Sequence, residues 1–249
     1  MKKIILLMTI SLLLVTGCNK SQNNQATNTI DNEKITKIDE SKDWVYDAKY
    51  EATTSSSSYT TANNETKNIS DLKVPFININ TEPAKFANED IRIIYDAAVD
   101  EFNEGLENKI TFAELNYKSN VTDEYVSVIM SFGVGGTDVI NPKYYSYNIS
   151  LKDGNNISFQ DAYKIVGIQD SEINNKVEEK IKDYLINELN VKVVDDYQNY
   201  IDESINNYHE SINNNGIVFY LNENKELEIM VQMSVPAGSG NINSLISIK

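Results

Sequence analysis

The apolar residues of this chain change period along its length, and that change limits the fold more than any single motif does. Ala87, Ile91, Ile94, Tyr95, Ala98 and Phe102 recur every three or four positions, the stripe of a one-sided helix. Thr81-Glu82-Pro83 supplies an N-cap and a first-turn proline, and Gly105 is placed to end that helix. Residues 109–118, 124–134 and 143–151 then read as strands, two of them rich in Val, Ile and Tyr. Gly133, Gly135 and Gly136 break the second, and Asp153-Gly154 closes the third in a tight turn. Ser158-Phe159-Gln160-Asp161 has the composition of a helix start. Ile173, Val177, Ile181, Tyr184 and Leu189 form a second helical stripe, and Tyr197, Tyr200, Ile201 and Tyr208 mark a third, shorter helix. Ile217 to Leu221, Leu227 to Val235 and Ile242 to Ile248 finish the chain as strands. Upstream, Trp44 to Tyr50 alternates with period two, and Leu72 to Ile79 is an extended run whose Pro75 suits an edge. The expected class is α+β, with antiparallel sheets packed against two or three helices in two small intertwined or adjacent modules.

The N-terminus has its own signature. Met1-Lys2-Lys3 precedes the apolar run Ile4 to Val15, which is shorter than the ~20 residues a membrane-spanning helix needs. The run ends in Val15-Thr16-Gly17-Cys18, which resembles a bacterial lipoprotein signal. Residues 1–17 are then the signal peptide and Cys18 the lipidated N-terminus, held on the outer face of the cytoplasmic membrane. Residues 18–43, with no aromatic side chain, read as the lipidated Cys and a disordered tether. Two modules are expected beyond it, at 44–120 and 121–249.

Charge and rare residues restrict the function. Against 22 Lys and Arg stand 37 Asp and Glu, for a formal charge of −15, or −17 once Lys2 and Lys3 leave with the signal. Nucleic-acid backbone binding, which needs clustered cations, is not expected. One Cys and one His leave no cysteine-rich or two-histidine metal site, so neither a metal nor another cofactor is expected. His209 has no Gly-x-Ser-x-Gly partner motif, and Gly133-Val134-Gly135-Gly136 lacks the Lys of a phosphate loop. No catalytic residue is assigned. The alternative, a peptidoglycan hydrolase or an accessory of a wall-modifying enzyme, would use two facing carboxylates in a deep cleft.

Several blocks resemble a family of bacterial extracytoplasmic domains that pairs a PdaC-type N-terminal module with an RsiV-like C-terminal domain. They are Val74-Pro75-Phe76-Ile77-Asn78-Ile79, Ala87-Asn88-Glu89-Asp90-Ile91, Val126-Ser127-Val128, and the stretch from Tyr147 to Ala162. Gly216 to Tyr220 and Val235-Pro236-Ala237-Gly238-Ser239-Gly240 follow in the same order. The RsiV-type members are anti-sigma factors whose outer domain binds lysozyme. The resemblance implies the outer domain alone, without the sigma-binding or deacetylase parts, and a binding or sensing role. After the paired glycines this chain has Thr137-Asp138 where the family often has a small residue and His.

Two places are candidates for contact. From Val193 through Asn224 there is no Lys or Arg, while Asp195, Asp196, Asp202 and Glu203 lie among Tyr197, Tyr200 and Tyr208. Such a stretch suits an acidic, Tyr-bearing surface that steers a basic protein partner and packs on it. The turn Gly135, Gly136, Asp138 is the second candidate. The expected partners are the membrane, through the lipid, and lysozyme, another basic wall-associated protein, or a glycan.

Overall fold

The computed structural model describes residues 35–136, 141–236 and 241–249. Cys18 lies outside them. The class is α+β, as the periodicity indicates, with four α-helices among the described residues.

The N-terminal half is built on α1 (Glu82–Asn108), whose first turn is capped by the Thr81 side chain accepting from the Ala84 N–H. The stripe Ala84, Ala87, Ile91, Ile94, Ala98 and Phe102 is buried. It packs on a sheet of three antiparallel strands, β5 (Phe112–Val121), β6 (Tyr125–Gly135) and β7 (Lys143–Ser150), with β6 central. Two small ribbons complete this core: β1 (Val45–Asp47) with β4 (Pro75–Ile77), and β2 (Ser58–Thr60) with β3 (Thr66–Asn68). The period-two run from Trp44 to Tyr50 thus contributes only three paired residues.

Gly105 does not end α1. The helix continues to Asn108 and stops where Lys109 takes a left-handed conformation (φ 60°). Gly105 has a packing reason instead. A Cβ there would lie 2.1 Å from the Tyr59 hydroxyl, which donates to the Thr111 carbonyl at 2.8 Å. The missing side chain lets β2 close over the last turns of the helix.

The fold also begins earlier than the tether reading allows. The Asn78 carboxamide donates to the carbonyls of Asp39 (2.8 Å) and Asp43 (3.0 Å) and accepts from the Asp39 N–H. Asn80 N–H donates to Thr36, and Ile35 packs on the N-terminal core. Residues 35–43 are therefore part of the folded unit, because a buried Asn78 must be satisfied by backbone that reaches it.

The C-terminal half contains α2 (Phe159–Ile165), α3 (Ile173–Asp183) running into a π-helical turn (Tyr184–Glu188), and α4 (Tyr197–Asn213). They pack on an antiparallel sheet ordered β10 (Asn241–Ile248), β9 (Leu227–Ser234), β8 (Phe219–Leu221). Its core is a separate apolar cluster that includes Val177, Ile181, Leu185, Ile201, Tyr208 and Val231.

The two cores meet across the β5–β7 sheet, whose faces differ. Leu115, Val126, Val128, Met130 and Ile149 point to the α1 core. On the opposite face, Asn120, Ser127 and Asn148 stand in one cross-strand row. Leu221 N–H donates to Ser127 Oγ (2.9 Å), and Ser127 donates to Asn148 Oδ1 (2.5 Å). Asn148 Nδ2 donates in turn to the Phe219 carbonyl (3.0 Å), while Asn120 reaches the carbonyls of Leu221 and Asn222. Three polar side chains thus act as a ladder partner for β8. The boundary expected at 120/121 falls inside β5, within this row, and the apolar cores divide after β7. Among the described residues no helix is long and apolar enough to cross a membrane.

Candidate functional site

α4 follows a 3-10 turn (Val191–Val193) and a left-handed Asp196 (φ 58°). Its inward side is set by helical spacing: Ile201, Ser204 and Tyr208 are buried, with Tyr197, Ile205 and Ile212 packed beside them. Polar ties join the apolar ones in holding it. Ser204 Oγ donates to the Tyr200 carbonyl (2.7 Å) and accepts the Ser234 N–H (2.8 Å), and Asn207 donates to the Gln232 carbonyl. His209 Nε2 lies 3.1 Å from Glu178 on α3, a simple surface pair.

Asp195, Asp196, Asp202, Glu203 and Glu210 are exposed along this segment. Asp202 accepts from Gln198, and Glu203 accepts the Ser234 hydroxyl at 2.8 Å. The tyrosines expected among them divide. Tyr197 and Tyr200 are half-buried and can present an edge. Tyr208, however, is only 1% exposed and donates to Asn174 Oδ1 (3.0 Å), so it cannot meet a partner. Burial, reinforced by the nearby Glu178 charge, pushes its phenol pKa upward. Tyr208 falls on the same helical side as Ile201 and Ser204, which takes it into the core.

A second acidic face, which the reading of the sequence passed over, lies on α1. Eight carboxylates fall within this helix against Lys85 and Arg92, and none of the residues from Ile93 to Asn108 is Lys or Arg. Glu82, Glu89, Asp96, Asp100 and Glu104 lie opposite the buried stripe. Phe86 and Ile93, two turns apart in the same outward face, are 64% and 66% exposed. Ile93 also lines an open groove of about 820 Å³ with the exposed Ile38 and with Phe76. The signal was present as two large apolar residues at i and i+7 on the charged side of the stripe.

A third acidic feature is concave. Asp123, Glu124, Asp153 and Asp161 line a cleft of about 620 Å³ with Ile165, and among the described residues Lys152 is the one cation lining it. Ser150 and the Asn155 backbone hold the Asp153 carboxyl below the usual range.

Of the glycine turn, Gly135 has a packing explanation. Gly135 ends β6, and a Cβ there would lie 2.1 Å from the Phe112 ring, over which Lys67 Nζ sits at 3.8 Å. Gly136 lies in the following bend and meets no such contact. Asp138 lies outside the described residues.

The carboxyls whose pKa moves clearly, Asp39, Asp153, Asp170 and Glu226, all move downward. Each is held ionised by donors, led by Ser41, Ser150, Lys164 and Lys249 respectively. That is the opposite of the raised pKa a general acid needs. Among the described residues no group of three His, Cys, Asp or Glu converges as metal ligands would.

No protein-family model matches this chain, and neither the search of curated proteins nor the search of solved structures finds a match.

Proposed function

We propose that this chain is a lipid-anchored binding module on the outer face of the bacterial cytoplasmic membrane. Cys18 carries the lipid, and the folded part captures a strongly basic protein of the envelope. Lysozyme is the concrete candidate, on the strength of the resemblance to the RsiV-type domains. One observation carries this reading: α1 and α4 both turn carboxylates outward over runs that contain no Lys or Arg.

The physical consequences are distinct for the two helices. Clustered charge of one sign raises the encounter rate with an oppositely charged protein and sets its approach, and added salt screens the effect. Affinity beyond steering needs apolar side chains that lose water on docking. Phe86 and Ile93 supply these on α1, whereas α4 offers only the edges of Tyr197 and Tyr200. The α1 face is therefore the anchoring surface and the α4 face the steering one.

The test is a titration of the chain from Asn19 onward, which contains every described residue, against lysozyme at low and physiological salt. Saturable binding that weakens as salt rises is expected. Absence of saturable binding under both conditions removes lysozyme as the partner.

A further inference from the structure

Two cavities adjoin where the N-terminal and C-terminal cores meet. One, of about 360 Å³, lies between the start of α1 and β7; the other, of about 590 Å³, lies among α2, α3 and the end of α4. They share Ile157, Ile217 and Phe219 as a common wall. Both volumes fall in the range of small-ligand pockets, ~300–1,000 Å³, and junctions between cores are where such pockets concentrate.

Their lining differs from the rest of the surface. Among the described residues neither cavity is lined by a Lys or Arg, so an anionic ligand such as a phosphate finds no cation in the wall. Two carboxylates are present, and both are already engaged. Asp90 accepts the Tyr147 hydroxyl at 2.6 Å. Asp170 accepts from Tyr163 and Gln160 and pairs with Lys164 at 3.3 Å. Asp170 is thus ion-paired, while Asp90 keeps its charge and is held by a neutral phenol at the rim of the smaller cavity.

What remains free is neutral. The side-chain amides of Asn156 and Asn215 have no hydrogen-bond partner among the described residues, and Asn174 uses only its Oδ1, on Tyr208. Each free amide offers donors and an acceptor side by side, the complement of hydroxyl and acylamino groups. The apolar lining mixes isoleucines with aromatic rings. Phe86 stands exposed at the mouth of the smaller cavity, and Phe159 packs edge-on to Tyr163 in the larger one.

From this lining we infer that the paired cavities bind an uncharged oligosaccharide, with Phe86 as a stacking platform and the amides of Asn156, Asn174 and Asn215 reading its polar groups. This site shares Phe86 with the α1 surface proposed above but otherwise uses different residues, and its ligand is of a different class. Binding here does not depend on a basic protein partner.

The inference is tested by following backbone amide shifts of the chain from Asn19 onward with three probes: chitotetraose, cellotetraose and tetralysine. At least one tetrasaccharide should give saturable shifts centred on residues 156–160, 174 and 215–219. The affinity should be the same at about 20 mM and about 500 mM salt, because no ion pair is made. Phe86→Ala should weaken binding about fivefold and Asn215→Asp by a similar factor, each the loss of one contact. Both positions are exposed, so the fold is retained. Val193→Ala, at an exposed position lining neither cavity, should leave it unchanged. The inference is overturned if neither sugar shifts these amides up to about 10 mM. A response to tetralysine alone, or equal affinity in Phe86→Ala and Val193→Ala, overturns it as well.

Discussion

α1 and α4 are both amphipathic, both acidic outside, and both packed on an antiparallel sheet, yet their buried sides differ in composition. α1 buries an almost wholly apolar stripe that ends in Phe102 and leaves Phe86 and Ile93 in water. α4 buries Ser204 and Tyr208 beside Ile201 and is tied to β9 and α3 by hydrogen bonds. α1, with the longer apolar stripe, also carries large apolar residues on its outer face. α4 turns Tyr208 inward beside Ser204. Tyr and acid alternating along a sequence therefore do not make a Tyr-and-acid surface. The helical period sorts them first.

The difference makes a prediction about stability with a wide margin. Phe102→Ala on α1 should cost about 3–5 kcal/mol in urea unfolding, the price of a cavity beside Tyr59. Ser204→Ala on α4 should cost about 1–3 kcal/mol, because the Ser234 N–H is left buried without an acceptor. A larger loss for Ser204→Ala than for Phe102→Ala would break the contrast.

Smaller effects sharpen it on the outer faces. The double substitution of Phe86 and Ile93 by Ala should leave stability within about 0.5 kcal/mol, since both side chains are solvent-exposed. The same variant should weaken lysozyme binding by about tenfold in calorimetry. An unchanged affinity would take the anchoring role away from α1.

Titration with base probes the interior. Burial raises the phenol pKa of Tyr208, Tyr220 and Tyr147, the last also through its bond to Asp90. A phenol whose folded pKa exceeds its unfolded value near 10 favours folding while it is protonated. Stability should therefore hold up to about pH 9 and fall as pH rises past 10, when the unfolded chain releases protons that the folded one keeps. Tyr208→Phe should soften that alkaline fall, as read by denaturant midpoints across pH. An identical profile would mean that Tyr208 is not held neutral by the core.

Much of this architecture is legible in the sequence. The stripe from Ala87 to Phe102 carries a clear helical period, and the runs read as strands become β5 to β10 with small shifts at their ends. What was not legible has a common physical cause: side chains that serve backbone at a distance. Asn120, Ser127 and Asn148 look like solvated strand positions, and only the return of β8, between 71 and 101 residues later, gives them backbone partners. Asn78 likewise looks like a loop residue until residues 39–43 fold over it. Gly105 reads as a stop because its neighbour Tyr59 lies 46 positions earlier. For the candidate site, the acids of α4 were visible and the burial of Tyr208 followed from its spacing to Ile201. The α1 face was equally visible, in the cation-free run from Ile93 to Asn108 and in Phe86 and Ile93 seven positions apart.

The central claim, that acidic helix faces hold a basic partner, is tested most directly by the salt dependence of lysozyme affinity in three proteins. These are the unmodified chain from Asn19, an α1 variant (E89Q, D100N and E104Q) and an α4 variant (D195N, D196N and D202N). The claim predicts that affinity falls with salt for the unmodified chain and falls less steeply for each variant. The three should converge at about 1 M salt, where the Debye length is only ~3 Å. Equal salt dependence in all three proteins would contradict it.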